Sequence, residues 1–339
     1  MSSPSACSAF PAETADLMDF QLSDIHTDLA ATVDAMLGKA DMPTAARAWA
    51  AGDRTAVAKV YSQLADAGIC GLLIDESHGG SSAGAVEMVV AVEQLGRHCA
   101  PGPIVESVAV LPVLLRDADV NGPLNDLAEG RLATVAIGPL QPLAADVESA
   151  DVYVVVDGVL STGRVISTEK TVDPTRTLSR VEPDRELATG IDTSDAADAG
   201  ALATAAELLG LGQTMMDIAS EYARSRKQFG RPIGSFQAVK HHLADVAIAL
   251  EMARPLVHAA ALGIDGQVPE GTNVSRDVSA AKVAAADAAH LSARRALQVL
   301  GAIGYTAEHD LSLYITKTRA LLTAWGSPAV HRQRILETL

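Results

Sequence analysis

Aromatic residues and cysteines are scarce in this chain of 339 residues. Phe, Trp and Tyr make up 3 % of a sequence that is 48 % apolar, so a large core must be built mainly from Ala, Val and Leu. Such small side chains let helices approach one another closely. The three cysteines, Cys7, Cys70 and Cys99, are widely spaced and form no CxxC or Cys/His pattern. They support neither a disulfide framework nor a zinc site.

Basic residues are few, and no targeting segment is evident. The 26 Lys and Arg residues stand against 42 Asp and Glu, a net charge of -16, which argues against nucleic acid or an anionic membrane as a general partner. Residues 1–17 lack the basic start and apolar run of a signal peptide, so we expect a disordered tail, with translation starting at Met1 or Met18. No apolar stretch reaches membrane-spanning length without interruption by charge. We expect a cytoplasmic protein without a membrane partner.

Positive charge is concentrated in residues 222–244, a segment without any acidic residue. Gly and Pro residues interrupt its middle, and apolar periodicity on both sides predicts two helices joined by a turn. Positive charge between two helix ends suits a phosphate or pyrophosphate group. The alternative is simple neutralisation of a helix C-terminus. The basic residues are Arg224, Arg226, Lys227, Arg231 and Lys240.

Hydrophobic periodicity divides the chain into three predicted regions. Apolar residues recur at helical spacing over residues 18–130, β-branched runs between Gly, Pro and Asp occupy 131–195, and long Ala-rich amphipathic helices fill 196–339. We predict a mostly α fold with an N-terminal helical domain, a small β domain and a C-terminal four-helix bundle. Within the β region, Asp157-Gly158 predicts a hairpin turn and Thr162-Gly163 a plain loop.

Two signatures carry a resemblance to a known family. Residues 226–237 resemble the R-x-x-F-G-x-P-I-x-x-F-Q signature of acyl-CoA dehydrogenases. Residues 298–305 are similar to their Q-x-L-G-G-x-G-Y/F signature, with Ala302 in place of the second Gly. The stretches at 18–20 and 78–80 also resemble family patterns. The resemblance covers nearly the whole chain from Met18 onward and implies the same three-part fold.

The resemblance implies contacts to FAD. In that family the Arg and Phe of the first signature and the Gln and Gly of the second contact FAD bound mainly by the neighbouring subunit. A guanidinium suits a pyrophosphate, and Gly permits close backbone approach. From the residues alone, Phe229 fits a core aromatic equally well, and the glutamines could pair within the bundle. The implied cofactor contacts are Arg226, Phe229, Gln237, Gln298, Gly301 and Ser327, the last standing where the family has an adenine-contacting Thr.

The catalytic base of that family is missing from the sequence. The family reaction removes a proton from Cα of an acyl thioester while a hydride leaves Cβ for the flavin, and it needs a carboxylate in a dry pocket. The usual Glu position falls on Trp325, and the alternative position of some members falls on Gly200. We therefore expect no catalytic residue in this chain. The nearby acids Asp195, Asp198 and Glu207 are expected at a helix start or on the surface.

The predicted β region is short and lacks the T-E-P-x-x-G-S-D stretch that lies beside the flavin ring in the family. These gaps favour a subunit of a heteromeric acyl-CoA dehydrogenase. A longer homologous partner would supply the base, the β-domain cradle and most of the acyl-CoA pocket, FAD would be shared, and an external acceptor would take the electrons. Short, base-less chains of this kind resemble subunits of bacterial enzymes that desaturate CoA-linked steroid side chains. The alternatives are a flavin monooxygenase of the same fold and a non-catalytic scaffold.

Overall fold

The computed structural model describes residues 22–338, and its N-terminal part is helical. Periodic apolar residues such as Val33 and Leu37 on the first helix, and Val57 and Leu64 on the third, face a common core. A single π-helical segment, Glu106–Val110, runs directly into the fifth helix. The helices are α1 (Asp24–Gly38), α2 (Met42–Ala50), α3 (Thr55–Asp66), α4 (Ala85–Arg97), α5 (Leu111–Asp117) and α6 (Gly122–Ala128).

A mixed five-stranded sheet follows, in the order β1-β3-β4-β5-β2. Strand β1 pairs in parallel with β3, and the other neighbours are antiparallel. The predicted turn at Asp157-Gly158 joins β3 to β4, with φ of 50° and 74°. The prediction of a loop at Thr162-Gly163 is wrong, because both residues lie within β4 at a register irregularity. The strands are β1 (Ala133–Ile137), β2 (Ala144–Ala145), β3 (Asp151–Val156), β4 (Val159–Lys170) and β5 (Thr177–Thr189).

Three residues of the turn between β4 and β5 are buried, whereas Val172 and Pro174 in that turn and the middle of the hairpin are exposed. Asp173, Thr175 and Arg176 are each less than 10 % exposed. The carbonyl of Thr175 accepts a hydrogen bond from the indole of Trp49 on α2, at 3.0 Å. The tip of the hairpin therefore enters the helical core, and we call residues 171–176 the buried turn.

Long helices form the C-terminal part of the chain. Helix α7 is the central one and is buried along most of its length. Its glycines allow close packing on α4, because a Cβ at Gly210 would lie 2.0 Å from the carbonyl oxygen of Glu93. Strands β6 (Lys227–Gln228) and β7 (Arg231–Pro232) form a small hairpin after α7. The helices are α7 (Ser194–Ser225), α8 (Gln237–Ile264), α9 (Val274–Leu300), α10 (Leu311–Leu321) and α11 (Pro328–Leu336).

Helix α8 is long and apolar enough to cross a membrane, judged by length and composition alone. The sequence-based statement concerned stretches without charge, and Asp245, Glu251 and Arg254 interrupt this helix. One side of α8 packs against α7 and α9 through buried residues such as Val246, Leu250 and Val257. The core helix of a helical protein meets the same criterion, so this property alone is weak evidence for a membrane span.

The predicted fold class is confirmed, with helices before and after a small sheet. The division of the chain into domains at residues 130 and 195 stays a prediction. The predicted tail at 1–17 and the family-like stretch at 18–20 lie outside the described residues.

Candidate functional site

Trp325 and Gly200, the two residues predicted to stand at the base positions of the family, are in direct contact. Trp325 lies in the turn after α10, is 0 % exposed and has a φ of 53°. Its indole packs against Gly200 on α7. A Cβ at residue 200 would lie 2.5 Å from Cδ2 of Trp325, closer than real side chains approach. Neither side chain can take up a proton, and the absence of the family's base from this chain stays a prediction.

Three hydrogen bonds hold Trp325 in place. Its indole N–H donates to Oε1 of Glu106 at 3.1 Å, and its backbone N–H donates to Oε1 of Gln141 at 3.2 Å. Its carbonyl oxygen lies 2.9 Å from Nε2 of His331, which must donate. Nδ1 of that histidine then accepts from the Ser279 hydroxyl at 3.1 Å. Burial lowers the pKa of His331 to about 4, so the imidazole is neutral, as this arrangement requires.

A cluster of buried charges lies next to Trp325, and the sequence analysis did not identify it. Nη2 of Arg176 lies 3.8 Å from Oε1 of Glu106. Nζ of Lys317 lies 3.9 Å from Oδ2 of Asp173 and 3.8 Å from Oε1 of Glu207. We call these five residues the buried charge cluster. It joins the buried turn to α7, α10 and the π-helical segment.

Burial and neighbouring charges shift the pKa values of this cluster in different directions. Burial raises the pKa of Glu207, while Lys317 and Arg176 oppose that rise. The pKa of Lys317 is raised, since Asp173 and Glu207 outweigh the burial that would lower it. Beside the cluster, burial raises the pKa of Asp146 to about 6, although Arg176 opposes it. The region therefore favours paired charges and penalises an unpaired carboxylate.

Glu207 and Asp198 are buried, so the expectation that they lie at a helix start or on the surface is wrong. They are 2 % and 5 % exposed. Oδ1 of Asp198 accepts from Arg334 at 2.7 Å, and its other oxygen contacts the Ser275 hydroxyl. Asp195 is exposed, as expected, and lines a cavity of about 410 Å³ together with Asp198. Asp198 and Glu207 are buried because both lie in the N-terminal half of α7, which other elements enclose.

Lys282 on α9 is fully buried next to the turn that contains Trp325. Its ammonium group donates to the carbonyl oxygens of Leu321 and Leu322, each at 3.3 Å, where α10 ends. Burial lowers its pKa from 10.5 to about 7. The negative end of a helix dipole favours the charged form, but it does not offset the loss of water.

Lys282→Met is expected to remove a pH dependence of stability. Because the folded-state pKa is about 7 and the ordinary value is 10.5, the unfolded chain binds the extra proton between these values. Raising the pH from 7 to 9 should therefore increase the free energy of unfolding, by about 1.4 kcal/mol per pH unit at most. Urea unfolding at pH 7, 8 and 9 measures this slope. The exposed Lys240→Met is the control, and an unchanged slope in the Lys282 variant would contradict the argument.

Arg226, Phe229 and Gln237 are all exposed, on and just after the β6–β7 hairpin. Phe229 stands at the tip with a φ of 52° and is 90 % exposed, so its interpretation as a core aromatic is wrong. Its ring meets that of Phe236 edge-on, with centroids 6.1 Å apart, and Arg231 lies over Phe236 at 4.2 Å. The cationic segment is thus a projecting hairpin with an aromatic tip.

Gln298 and Gly301 lie at the exposed C-terminal end of α9. Gly301 follows the last residue of the helix with a φ of 64°, a conformation that itself calls for glycine. Gln298 lines a groove of about 570 Å³ together with Arg294 and Arg295. Nε of Arg295 is buried there without a hydrogen-bond partner among the described residues. Arg295 also lies 3.7 Å from Asp245, and Asp287 lines the same groove, so the positive charge offered to an anion is partly neutralised.

Ser327 has a structural role of its own. Its hydroxyl accepts from the backbone N–H of Val330 at 3.3 Å and caps the N-terminus of α11. Its predicted contact to adenine stays a prediction, as do the other cofactor contacts. The structure brings Trp325 and Gly200 together, groups Arg226 with Phe229 on one hairpin, and places Gln298 and Gly301 at one helix end.

Glu106, Gln141 and His331 were missed by the sequence analysis. One signal for Glu106 was available, since it is the only charged residue between Cys99 and Arg116. A single acid in such an apolar run is rarely buried unless it is paired. The other two carry no local signal, because their contacts to Trp325 join distant parts of the chain.

This three-part fold, with its exposed signature residues, is the fold of the acyl-CoA dehydrogenases, and the chain belongs to that family. Residues 23–118 match the family model for the acyl-CoA dehydrogenase N-terminal domain, and residues 193–339 match the model for the C-terminal domain. The family uses FAD and oxidises CH–CH bonds of acyl-CoA. The residues of the small sheet lie outside both matches.

Two curated relatives show how much of the chain is shared. The chain is 31 % identical over 319 residues to acyl-CoA dehydrogenase IpdE2 of Mycolicibacterium smegmatis, which covers 93 % of this chain and 98 % of that protein. It is 30 % identical over 293 residues to acyl-CoA dehydrogenase FadE34 of Mycobacterium tuberculosis, covering 80 % of this chain but 40 % of that protein. The second relative is therefore more than twice as long as the matched part.

Solved structures share the fold at low identity. A Tcur3481-Tcur3483 steroid ACAD superposes with a TM-score of 0.80 at 21 % identity, over 93 % of this chain and 97 % of that chain. The ChsE4-ChsE5 complex of Mycobacterium tuberculosis gives a TM-score of 0.77 at 22 % identity, over 94 % and 98 %. At such identities the likeness shows the fold alone.

Proposed function

We propose that this chain is a subunit of a heteromeric, cytoplasmic, FAD-dependent acyl-CoA dehydrogenase that introduces an α,β double bond into a CoA thioester. A longer homologous partner supplies the catalytic Glu, the β-domain cradle and most of the acyl-CoA pocket. This chain contributes contacts to the FAD held between the two subunits. When bound, FAD accepts the hydride, and an external acceptor takes the electrons.

The observation that carries the proposal is the exposed tip of the β6–β7 hairpin. Phe229 is 90 % exposed and has a φ of 52°, an uncommon conformation for a bulky residue. An exposed aromatic side chain in a strained turn is accounted for by a contact outside the chain. Arg226 stands three residues before Phe229, directly before β6, and gives the contact a guanidinium for a pyrophosphate.

The donor set of this surface fits FAD. Arg226 is exposed, and the groove beside Gln298 holds Arg294 and Arg295, the latter 3.7 Å from Asp245. One guanidinium group can donate two hydrogen bonds to phosphate oxygens, so these arginines can hold the pyrophosphate. Their exposure means that another protein surface must enclose the flavin. That requirement favours a shared cofactor over one bound by this chain alone.

Pairing with a homologous partner has support from the relatives. Two of the fold neighbours are named as assemblies of two components. FadE34 is long enough to hold a second unit of similar size beyond the part that matches this chain. The small sheet, and a tryptophan at the proposed position of the base, are compatible with a subunit whose partner performs the reaction. We propose a CoA-linked steroid side chain as the substrate class, because the Tcur3481-Tcur3483 enzyme is named a steroid ACAD.

Arg226→Ala is the test of the cofactor contact. Loss of a charge-assisted hydrogen bond costs about 1.5–3 kcal/mol, so FAD should bind the reconstituted complex roughly 10- to 100-fold more weakly. Titration of the apo complex with FAD, followed by flavin fluorescence, measures the Kd. Arg224→Ala is the matched control, since Arg224 is exposed two residues away and is paired with Glu221 at 3.0 Å.

Expression of the chain alone separates the alternatives. The proposed subunit purifies without flavin or activity and gains both when co-expressed with its partner. A yellow, active homo-oligomer would exclude the proposal and favour a flavin monooxygenase or a complete dehydrogenase. An unchanged FAD affinity in the Arg226 variant would instead favour the scaffold interpretation.

A further inference from the structure

We propose that the indole of Trp325 permanently fills this chain's own acyl position and excludes a thioester from it. The inference deepens the proposed function and rests on it for the identity of the position. In the family, a base at either of the two known positions acts on the same Cα proton. Both positions therefore border the space in which the acyl group lies. In this chain they are Trp325 and Gly200.

No space remains between these two residues. A Cβ at Gly200 would meet Cδ2, Cε3 and Cε2 of Trp325 at 2.5, 2.7 and 2.9 Å. The indole therefore lies directly on the backbone of α7. Trp325 is 0 % exposed, so its other side is also enclosed. A substrate carbon could not enter without displacing the ring.

The ring is fixed by polar contacts as well as by packing. Its N–H donates to Glu106, which is itself 0 % exposed and lies 3.8 Å from Arg176. The second oxygen of Glu106 has no hydrogen-bond partner among residues 22–338. Displacing the ring would leave this buried carboxylate without a hydrogen bond from the described residues. An unpaired buried acceptor is costly.

The backbone of the turn also holds the ring in place. Trp325 and Gly326 have φ values of 53° and 98°, and the tryptophan occupies the left-handed region without being glycine. Such a conformation persists where the surroundings impose it. Here Gln141 and His331 bind the backbone N–H and carbonyl of Trp325. These two contacts therefore fix the position of Trp325 within the fold.

Removal of the indole should leave a cavity that binds a planar aromatic molecule or a small thioester. Apolar cavities of about 150 Å³ in protein cores bind small aromatic molecules. We expect Trp325→Gly, as the isolated chain, to bind indole and a butyryl thioester of N-acetylcysteamine at least 10-fold more tightly than the unchanged chain. Isothermal titration calorimetry gives both affinities, and a rise of the variant's Tm with indole gives an independent readout.

Two further variants make the result specific. Trp49→Gly removes the other tryptophan, which is also buried and hydrogen-bonded through its indole, and it should not gain thioester affinity. Trp325→Leu leaves a smaller hole and serves if the glycine variant does not fold; it should gain thioester affinity but bind no indole. Equal thioester binding by the unchanged chain, or no binding by a folded Trp325 variant, would overturn the inference.

These measurements do not involve FAD or a partner. Ligand binding by the Trp325 variants therefore tests the occupied position even if the heteromeric function fails. Conversely, an active complex in which the variants bind nothing would retain the proposed function and remove this inference alone.

Discussion

Lys317→Met should be among the most destabilising single changes in this protein, with a loss of about 3–5 kcal/mol in the free energy of unfolding. The ammonium group lies between Asp173 and Glu207, both less than 10 % exposed. Its removal leaves two carboxylates in the core with no cation between them. The methionine fills much of the vacated volume, so the loss reports on charge more than on packing.

The loss should depend on pH in a defined direction. Burial already raises the pKa of Glu207, and without Lys317 that pKa rises further. The folded variant then binds protons more readily than the unfolded chain, so its stability falls as pH rises and recovers as pH is lowered toward 5. Urea unfolding at several pH values measures this, with Arg319→Met, exposed on the same helix, as the control. A loss equal at all pH values would mean that packing dominates.

Gly200→Ala should be strongly destabilising although alanine is the better helix former. The propensity gain is at most about 1 kcal/mol. The new Cβ would lie 2.5 Å from the fully buried Trp325 ring, and overpacking of this kind costs about 1–3 kcal/mol or more. Hydrogen bonds from both ends of Trp325 limit its escape, so we expect the clash to outweigh the gain. A net loss of about 2 kcal/mol should lower the Tm by several degrees.

The same substitution elsewhere provides the control. Gly122 lies in α6 with nothing within 4 Å of an added Cβ, so Gly122→Ala should be neutral or slightly stabilising. In the double variant Gly200→Ala with Trp325→Leu, the smaller side chain should recover part of the stability, a coupling that a double-mutant cycle measures. If the two changes are simply additive, the contact between these residues is not the cause.

The helices and the turn at Asp157-Gly158 could be predicted from the sequence because they depend on local patterns. Alanine-rich periodicity predicts long helices in the region where α7 and α8 lie, and glycine with a short polar neighbour specifies a tight hairpin. The loop predicted at Thr162-Gly163 failed because β4 continues through it, with pairing to β3 and β5 that no local pattern reveals.

The candidate site could be predicted only in part. The signature residues on the hairpin and at the end of α9 could be proposed from the sequence because those of each signature follow one another closely, and their contacts to FAD stay predictions. The buried charge cluster was not predicted, since Lys317 and its partners Asp173 and Glu207 are far apart in the chain and charged residues are ordinarily on the surface. The contact between Trp325 and Gly200 could not be predicted from the sequence either, although comparison with the family signatures had identified both positions.

The contact between Gly200 and Trp325 also constrains how this lineage can evolve. A single change of Trp325 to Glu would remove the ring from α7, take a hydrogen-bond donor from Glu106 and set a second carboxylate near it. Each of these losses would lower the stability of the chain. A carboxylate at position 325 would therefore require several coordinated changes. Glu106, Gly200 and Trp325 are thus constrained together, because a change at one of them alters the cost of a change at the others.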